Sequence, residues 1–245
     1  MLKKTIAVLA LTLGLAAPSL ADDLTVGVTT TGVPFTFIDT SSQAPTGAMV
    51  DLANAIAEDN GMTAKFELTA FSALIPALTT HKIDLISAGM FASDKRKEVV
   101  DFSTGVYTYG DAMFVSADDA TDYTVEDIKG EAVGAQVGTV FADKLNELGI
   151  FGDVKLYDNL SDIMRDVKLG RIKAGFGDKP IVAYQIAQNP SFGVRLVDGY
   201  KPMSEGTVAL AVAKDNPELL EKVNASLAKL KDSGELEKIF AKYGL

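Results

Sequence analysis

The sequence predicts an α/β protein made of two lobes, each a mostly parallel sheet flanked by helices, with a cleft between them. From residue 24 onward, apolar segments of strand length alternate with amphipathic segments of helix length, an order that produces helix-covered parallel sheets. The pattern occurs twice, and in each set a helix opens at the carboxyl end of a strand. The chain has 245 residues, 47% of them hydrophobic, which suffices for two modest cores. Such lobes close on small ligands by hinge motion.

The first set of elements lies in residues 24–103. Apolar residues at helical spacing predict a helix over residues 49–60, and Gly61 suits the position that follows its last turn. Ser72 is placed to cap a second helix. The strands of this set are expected at residues 24–28, 34–38, 64–68 and 83–87.

The second set follows residue 103 and leads into two C-terminal helices. Asn216 and Pro217 suit the N-cap and the first position of the penultimate helix, and Gly234 separates it from the last one. Strands are expected at residues 112–115, 132–137, 154–157, 174–176, 194–197 and 207–213, and helices at residues 124–130, 139–148, 161–169, 180–187 and 235–243.

The first 21 residues have the three parts of a secretory signal peptide. Two lysines form a charged start, residues 5–17 are apolar, and Ser19 and Ala21 are small residues at the positions that matter before a cut. The apolar run is shorter than the roughly 20 residues of a membrane span. We expect cleavage before Asp22 and a soluble protein in a bacterial periplasm.

The composition excludes several classes of function. The formal charge of −10 becomes −12 when the two leader lysines are removed, which argues against a nucleic-acid partner. The chain has no cysteine for a disulfide, a thiolate metal site or a lipid anchor, and its single histidine, His81, makes a histidine-rich metal site impossible. No phosphate-binding glycine motif supports a nucleotide. We therefore expect no cofactor and no metal.

The segment from Ile83 to Ser103 carries the clearest binding signal. It is typical of a buried strand, a turn at Gly89 and a short helix with Ser93 as its N-cap. Arg96 lies near the start of this helix, just beyond a strand end, where open α/β folds place their ligands. A guanidinium beside free backbone N–H groups suits a carboxylate or another small anion. The alternative is that Arg96 belongs to a solvated helical face.

Eight segments of the chain match, in order and spacing, a known family: PFTF at 34–37, GAMVDLANAIA at 47–57, FSALIPAL at 71–78, KIDLISAG at 82–89, DKRKEVVDFS at 94–103, VGAQVGT at 133–139, and residues 169–178 and 236–244. On these segments the chain resembles the bacterial periplasmic solute-binding proteins of polar amino-acid ABC transporters. The resemblance covers essentially the whole mature length. Each segment alone is a weak signal, but their order together with the leader is a strong one.

The resemblance implies the two-lobed, type II fold of periplasmic binding proteins. Crossing strands near residues 107–109 and 204–207 would form the hinge. The implied division is residues 1–21 for the signal peptide, 22–108 for the first part of lobe I, 109–204 for lobe II and 205–245 for the C-terminal part of lobe I.

The resemblance also implies how a ligand's α-carboxylate is held. In the family an arginine holds it, and the matching residue is Arg96. Backbone N–H groups assist, at positions that match Phe91 in lobe I and the Gly138-Thr139 turn in lobe II. A helix that opens at Thr139 would favour the same anion through its dipole.

The α-amino group is held in the family by an acidic residue that matches Asp178, with help from the carbonyl that matches Gly89. Without the resemblance, the position of Asp178 before a helix would favour a simple N-cap. The remaining ligand-binding positions implied are Phe71, Gln136 and Thr29.

Three positions depart from the family pattern. Phe91 replaces a serine or threonine, so its ring either lines the cleft or packs in the core under the short helix. Gly32 replaces an aromatic wall, which leaves Phe71 as the other wall. Thr29 replaces the acidic residue of members that take cationic side chains. This combination favours a neutral amino acid, or a compact zwitterion whose delocalised cation is held by cation–π contact.

The main hypothesis from the sequence is a binding protein and not an enzyme. It would capture a small zwitterionic solute, an amino acid or a derivative, by hinge closure and deliver it to a membrane-embedded ABC permease. We expect a monomer without a nucleic-acid partner. The alternative is a periplasmic dehydratase of the same fold that acts on a prephenate-like acid, with Asp178 or Glu205 as general acid.

Overall fold

The computed structural model describes residues 22–245. The predicted signal peptide, residues 1–21, therefore lies outside the described residues. Within residues 22–245, none of the helices combines the length and the apolar character that a membrane span requires.

The described chain alternates strands and helices in the predicted manner. Its strands are β1 (Asp23–Val28), β2 (Thr31–Gly32), β3 (Thr36–Ile38), β4 (Pro45–Thr46), β5 (Thr63–Leu68), β6 (Leu85–Ile86), β7 (Val100–Phe102), β8 (Tyr107–Ser116), β9 (Ala132–Gln136), β10 (Asp153–Tyr157), β11 (Ala174–Asp178), β12 (Val194–Leu196), β13 (Glu205–Val208) and β14 (Ala211–Ala213). Its helices are α1 (Ala48–Asp59), α2 (Leu74–Thr79), α3 (Asp94–Lys97), α4 (Val140–Leu148), α5 (Leu160–Lys168), α6 (Lys179–Gln188), α7 (Pro217–Asp232) and α8 (Glu235–Ala241).

Two main sheets form the two lobes. The first has the order β5-β1-β6-β14-β7, in which β1 pairs parallel with β5 and β6, while β14 pairs antiparallel with β6 and β7. The second has the order β10-β9-β11-β8-β12, in which β9 pairs parallel with β10 and β11, while β8 pairs antiparallel with β11 and β12. Both sheets are therefore mixed, with a parallel half of three strands each.

Several local predictions are confirmed and others are corrected. The side chains of Ser93, Thr139 and Asn216 accept the expected N-cap hydrogen bonds. Ser72 caps nothing, because a 3₁₀ turn at Phe71–Ala73 runs directly into α2. The helix predicted at residues 124–130 is only the 3₁₀ turn Glu126–Ile128.

The segment predicted as one strand at residues 207–213 is two strands that belong to different sheets. Strand β13 pairs with the start of β8, with Gly206 opposite Tyr109, whereas β14 pairs within the first sheet. Together β8 and β13 cross between the lobes, at the two places where the hinge was expected. The exact lobe boundaries stay a prediction.

The Phe91 ring packs beside these crossing strands and only 5% of the residue is exposed. Its centroid lies 4.7 Å from that of Tyr109 and 5.8 Å from that of Phe141. The backbone of Phe91 pairs with Val208, and a Cβ on Gly206 would lie 2.2 Å from the Phe91 ring. Of the two alternatives for Phe91, the geometry favours the core position, and a glycine at 206 makes room for it.

We expect Gly206→Ala to lower the free energy of unfolding by about 1–3 kcal/mol, because the added methyl group overlaps the Phe91 ring. Urea unfolding at equilibrium measures the loss. The same substitution in a Phe91→Ala background should cost much less, so the two changes should be strongly non-additive. An additive result would contradict the contact.

Candidate functional site

A cavity lies between the two sheets, and about 510 Å³ of space free of protein atoms lies in and around it, open solvent included. The first lobe contributes polar loops and one aromatic ring, and the second contributes strand ends and helix starts. The lining residues of the first lobe are Thr29, Thr31, Gly32, Phe71, Ala88 and Gly89. Those of the second lobe are Gln136, Thr139, Phe141, Leu160, Phe176, Gly177, Asp178 and Ile181.

Most of the predicted site residues meet at this cavity. Its lining includes Thr29, Phe71, Gly89, Gln136, Thr139 and Asp178. Arg96 and Gly138 are not among the lining residues but are hydrogen-bonded to each other beside it, across the lobes. Phe91 is also not part of the lining, and its ring lies among the aromatic residues of the crossing strands.

Asp178 ends strand β11 and precedes helix α6, where its side chain makes no capping hydrogen bond. Instead, its Oδ1 accepts a hydrogen bond of 2.6 Å from the hydroxyl of Tyr109. The alternative role as an N-cap is therefore not used. Burial raises the pKa of the Asp178 carboxyl to about 6, against the opposing effects of the Tyr109 hydrogen bond and the charge of Arg96. The site thus holds a carboxylate that water solvates poorly.

Arg96 is buried, although its neighbours Lys95 and Lys97 on the short helix α3 are exposed. Its Nη1 donates to the carbonyl of Phe91 at 2.7 Å and its Nη2 to the carbonyl of Gly138 at 2.9 Å. The alternative of a solvated helical face therefore fits the two lysines but not Arg96. A guanidinium has five N–H donors, so others remain for an anion.

Phe71 covers the guanidinium of Arg96, with Cζ 5.5 Å from the ring centroid. Because Phe71 also lines the cavity, its ring lies where the cation and the apolar wall meet. The charge of Arg96 is held in a partly apolar environment, and burial lowers the pKa of its guanidinium below the usual value.

The start of helix α4 faces the cavity from the second lobe. The Thr139 hydroxyl donates to the carbonyl of Gln136 and accepts from the N–H of Ala142. Within residues 22–245 the N–H groups of Val140 and Phe141 have no acceptor, as expected in a first helical turn. A helix start of this kind favours a negative group.

Gly138 precedes this helix with a φ of 79°, a conformation that favours glycine. A Cβ at this position would lie 3.0 Å from the Cα of Ser72 in the other lobe. The lobes also meet through Lys95 and Asp143, whose charged groups lie 2.8 Å apart. Residues of both lobes thus contact one another around the cavity.

The remaining polar surface of the cavity is neutral. The hydroxyls of Thr29 and Thr36 are hydrogen-bonded at 2.6 Å, and Gly32 lies against both, since a Cβ there would be 3.1 Å from the Thr29 oxygen. The Gln136 amide donates to the carbonyl of Asp158. Asp178 is the one charged side chain among the lining residues.

Sequence reasoning missed the residues that complete the site. Tyr109 was interpreted only as part of the hinge, and the apolar lining of the second lobe was not identified: Phe141, Leu160, Phe176 and Ile181. A signal for the apolar residues was present, because each lies within three residues of a strand end or helix start that was predicted. Tyr109 had no such signal, since its partner Asp178 is 69 residues away.

A cleft between two lobes, with an acid and a helix start from one lobe and an arginine from the other beside it, defines a ligand-binding protein for small polar molecules. The chain belongs to the bacterial extracellular solute-binding proteins, family 3, whose model matches residues 24–245. The resemblance seen in the sequence is thereby confirmed. In the part of the chain that the structure describes, no group of acidic residues and histidines has the arrangement of a metal site.

Similar proteins include the ABC transporter arginine-binding protein 1 of Escherichia coli (strain K12), which is 32% identical over 222 residues, 90% of each chain. An ancestral arginine-binding protein bound to glutamine has a similar structure, with a TM-score of 0.84, 35% identity, and coverage of 92% of this chain and 99% of that one. The ancestral amino acid-binding protein AncCDT-1, a precursor of cyclohexadienyl dehydratase, is also similar, with a TM-score of 0.79, 30% identity, and coverage of 90% and 95%.

We expect Asp178→Asn to stabilise the chain above about pH 6 by about 1–3 kcal/mol. The folded-state pKa of Asp178 is raised from 3.8 to about 6. The folded chain therefore binds this proton more tightly than the unfolded chain, and its stability decreases as the pH rises from about 4 to about 6.

Urea unfolding across this pH range measures the difference. The advantage of the asparagine variant should disappear as the pH falls towards 4. Asp118→Asn, at an exposed turn, is the matched control and should leave stability unchanged. Equal stability of Asp178→Asn and the parent chain at neutral pH would contradict a costly buried charge.

Proposed function

We propose that this chain binds an α-amino acid with a neutral side chain between its lobes and delivers it to an ABC permease. The observation that carries the proposal is the charge of the lining: Asp178 is its one charged side chain. An α-amino acid brings one ammonium and one carboxylate. A cationic side chain would need a second acid, and an anionic one a second cation, because a buried charge without a partner is costly.

The two poles of the site match the two charges of an amino acid. Asp178 and the carbonyl of Gly89 both lie at the cavity and accept hydrogen bonds, as an ammonium requires. Arg96 and the first N–H groups of α4 offer donors and positive charge for a carboxylate. Phe71, from the first lobe, supplies an apolar wall for the ligand's side chain.

A ligand held in this way contacts both lobes at once. Asp178 and α4 belong to the second lobe, whereas Gly89 and Arg96 belong to the first. A molecule that binds both has a higher affinity for the closed arrangement than for an open one, and this difference drives closure. The strands β8 and β13, which cross between the lobes, are the proposed hinge.

The relatives support the class of ligand and the partner. One similar protein is named as an ABC transporter arginine-binding protein, and another structure shows an arginine-binding ancestor with glutamine, a neutral amino acid. A location outside the cytoplasm, reached by cleavage of residues 1–21, fits the extracellular character of the family. A free monomer would serve as the soluble carrier.

Neutral amino acids should raise the melting temperature of refolded protein, and arginine and lysine should raise it far less. Ligand at about one hundred times its dissociation constant adds about 2.7 kcal/mol to the free energy of unfolding. Thermal denaturation with the twenty amino acids and with betaine-type solutes measures the effect. Exclusive stabilisation by basic amino acids would contradict the neutral pocket.

Prephenate in the same panel tests the enzymatic alternative. With a pKa of about 6, the Asp178 carboxyl is partly protonated near neutral pH, as a general acid must be. One similar structure is that of a dehydratase precursor. A prephenate-like acid, however, brings two carboxylates and no ammonium, so it would place an anion beside Asp178. Formation of phenylpyruvate, followed by its absorbance, would establish the enzyme and contradict a pure binding role.

Thr29→Asp should shift the preference towards arginine by on the order of tenfold, because it adds a second acid to the lining. Calorimetric titration with glutamine and arginine measures the ratio of affinities. Thr29→Asn is the matched control, since it has nearly the same size as aspartate without the charge. An equal ratio in the aspartate and asparagine variants would show that position 29 does not face the ligand's side chain.

A further inference from the structure

The ring of Tyr109 is fixed on several sides at the start of the crossing strand β8. Its centroid lies 4.7 Å from that of Phe91, 5.6 Å from the stacked ring of Phe35 and 6.0 Å from that of Tyr107. Aromatic contacts of this kind leave a ring little freedom to change its rotamer. The hydroxyl at the end of the ring therefore has a fixed position.

This hydroxyl lies between the two acceptors proposed for the ligand's ammonium. It is 2.6 Å from Oδ1 of Asp178 in the second lobe and 3.3 Å from the carbonyl oxygen of Gly89 in the first. Burial raises the pKa of the Tyr109 phenol well above its usual value, so the hydroxyl stays protonated and donates. The hydroxyl has one proton to donate, and its stronger hydrogen bond goes to the nearer acceptor, Oδ1 of Asp178.

The other carboxylate oxygen has no such donor. Among residues 22–245 no side chain or backbone group of another residue donates a hydrogen bond to Oδ2 of Asp178. Asp178 and Gly89 line the cavity, whereas Tyr109 does not. Tyr109 therefore binds Oδ1 from outside the cavity lining and leaves Oδ2 without a hydrogen bond from another residue of the described chain.

We propose that Tyr109 is a positioning residue that orients the Asp178 carboxylate and favours its charged form, and thereby sets the affinity of the site for an ammonium group. The proposal rests on the proposed function for its ligand, but the contact between Tyr109 and Asp178 does not. The Phe91 ring packs against the Tyr109 ring on one side and against Gly206 on another, and so helps to hold Tyr109 in place.

The charges around Asp178 explain why a donor is needed there. The charge of Arg96 favours the carboxylate, but within residues 22–245 the Arg96 guanidinium donates its hydrogen bonds to the carbonyls of Phe91 and Gly138 and none to Asp178. Asp111, opposite Asp178 in the pairing of β8 with β11, disfavours a second negative charge. Burial has the larger effect in the same direction. The hydrogen bond from Tyr109 opposes the effects of burial and of Asp111 and favours the charged carboxylate.

The test compares Tyr109→Phe with Tyr107→Phe. Tyr107 lies on the same strand and face and packs on Phe35 and Phe240, but within residues 22–245 its hydroxyl makes no hydrogen bond. The first readout is the titration of the Asp178 carboxyl carbon by NMR without ligand, with Asp178→Asn identifying the signal. The second is the affinity for glutamine between about pH 5 and pH 8.

In Tyr109→Phe the Asp178 titration should move upward by about one pH unit, because a donor to the charged form is lost. Glutamine affinity should fall on the order of tenfold near pH 6 and less at higher pH, where the carboxylate is charged in both chains. Tyr107→Phe should change neither quantity. An unchanged Asp178 titration in Tyr109→Phe, or an equal shift in both variants, would overturn the proposal.

The two readouts separate this proposal from the proposed function. The NMR titration needs no ligand, so it decides the role of Tyr109 even if glutamine does not bind the parent chain. If glutamine binds, a tighter complex in Tyr109→Phe at every pH would overturn the positioning role, since it would show that the hydroxyl competes with the ammonium.

Discussion

The structure of the site depends on keeping one carboxylate, Asp178, in a cavity whose other lining side chains are uncharged. Burial works against this charge, as the pKa of about 6 shows. Tyr109 donates to it and the charge of Arg96 favours it. Asp178 lies in one lobe, and the positive groups proposed for the ligand's carboxylate come from both lobes, an arrangement that would hold a zwitterion in one orientation.

Local sequence signals made the main strands and helices predictable, together with some of the residues around the cavity. Arg96 was found because strand ends and helix starts are encoded within a few residues. The ligand-binding roles of Thr139 and Asp178 came from the family resemblance, because local signals alone favoured an N-cap for Asp178. The direction of the Phe91 ring was not predictable, because it depends on a glycine that lies more than a hundred residues away at position 206. Tyr109 was missed for the same reason, since its hydrogen bond to Asp178 spans 69 residues.

Membership in the family and identity of the ligand depend on different parts of the cavity. The groups proposed to bind an α-carboxylate and an α-ammonium are Arg96, the start of α4 and Asp178, and any α-amino acid offers them the same atoms. The groups proposed to contact the ligand's side chain include Thr29, Gly32 and Phe71, which line the cavity and carry no charge. A relative with a similar fold and the same groups for the α-carboxylate and α-ammonium can therefore bind an amino acid with a different side chain.

Strand β14 has a consequence for how the chain folds. It lies between β6 and β7 in the first sheet, although it follows β6 by more than a hundred residues, and its residues Ala211 and Val212 are almost fully buried. Strands β8 to β12, by contrast, come from one continuous stretch of chain. Contacts between distant segments form late because closing a long loop costs entropy. We therefore expect the lobe whose synthesis begins first to be the last to be completed in folding.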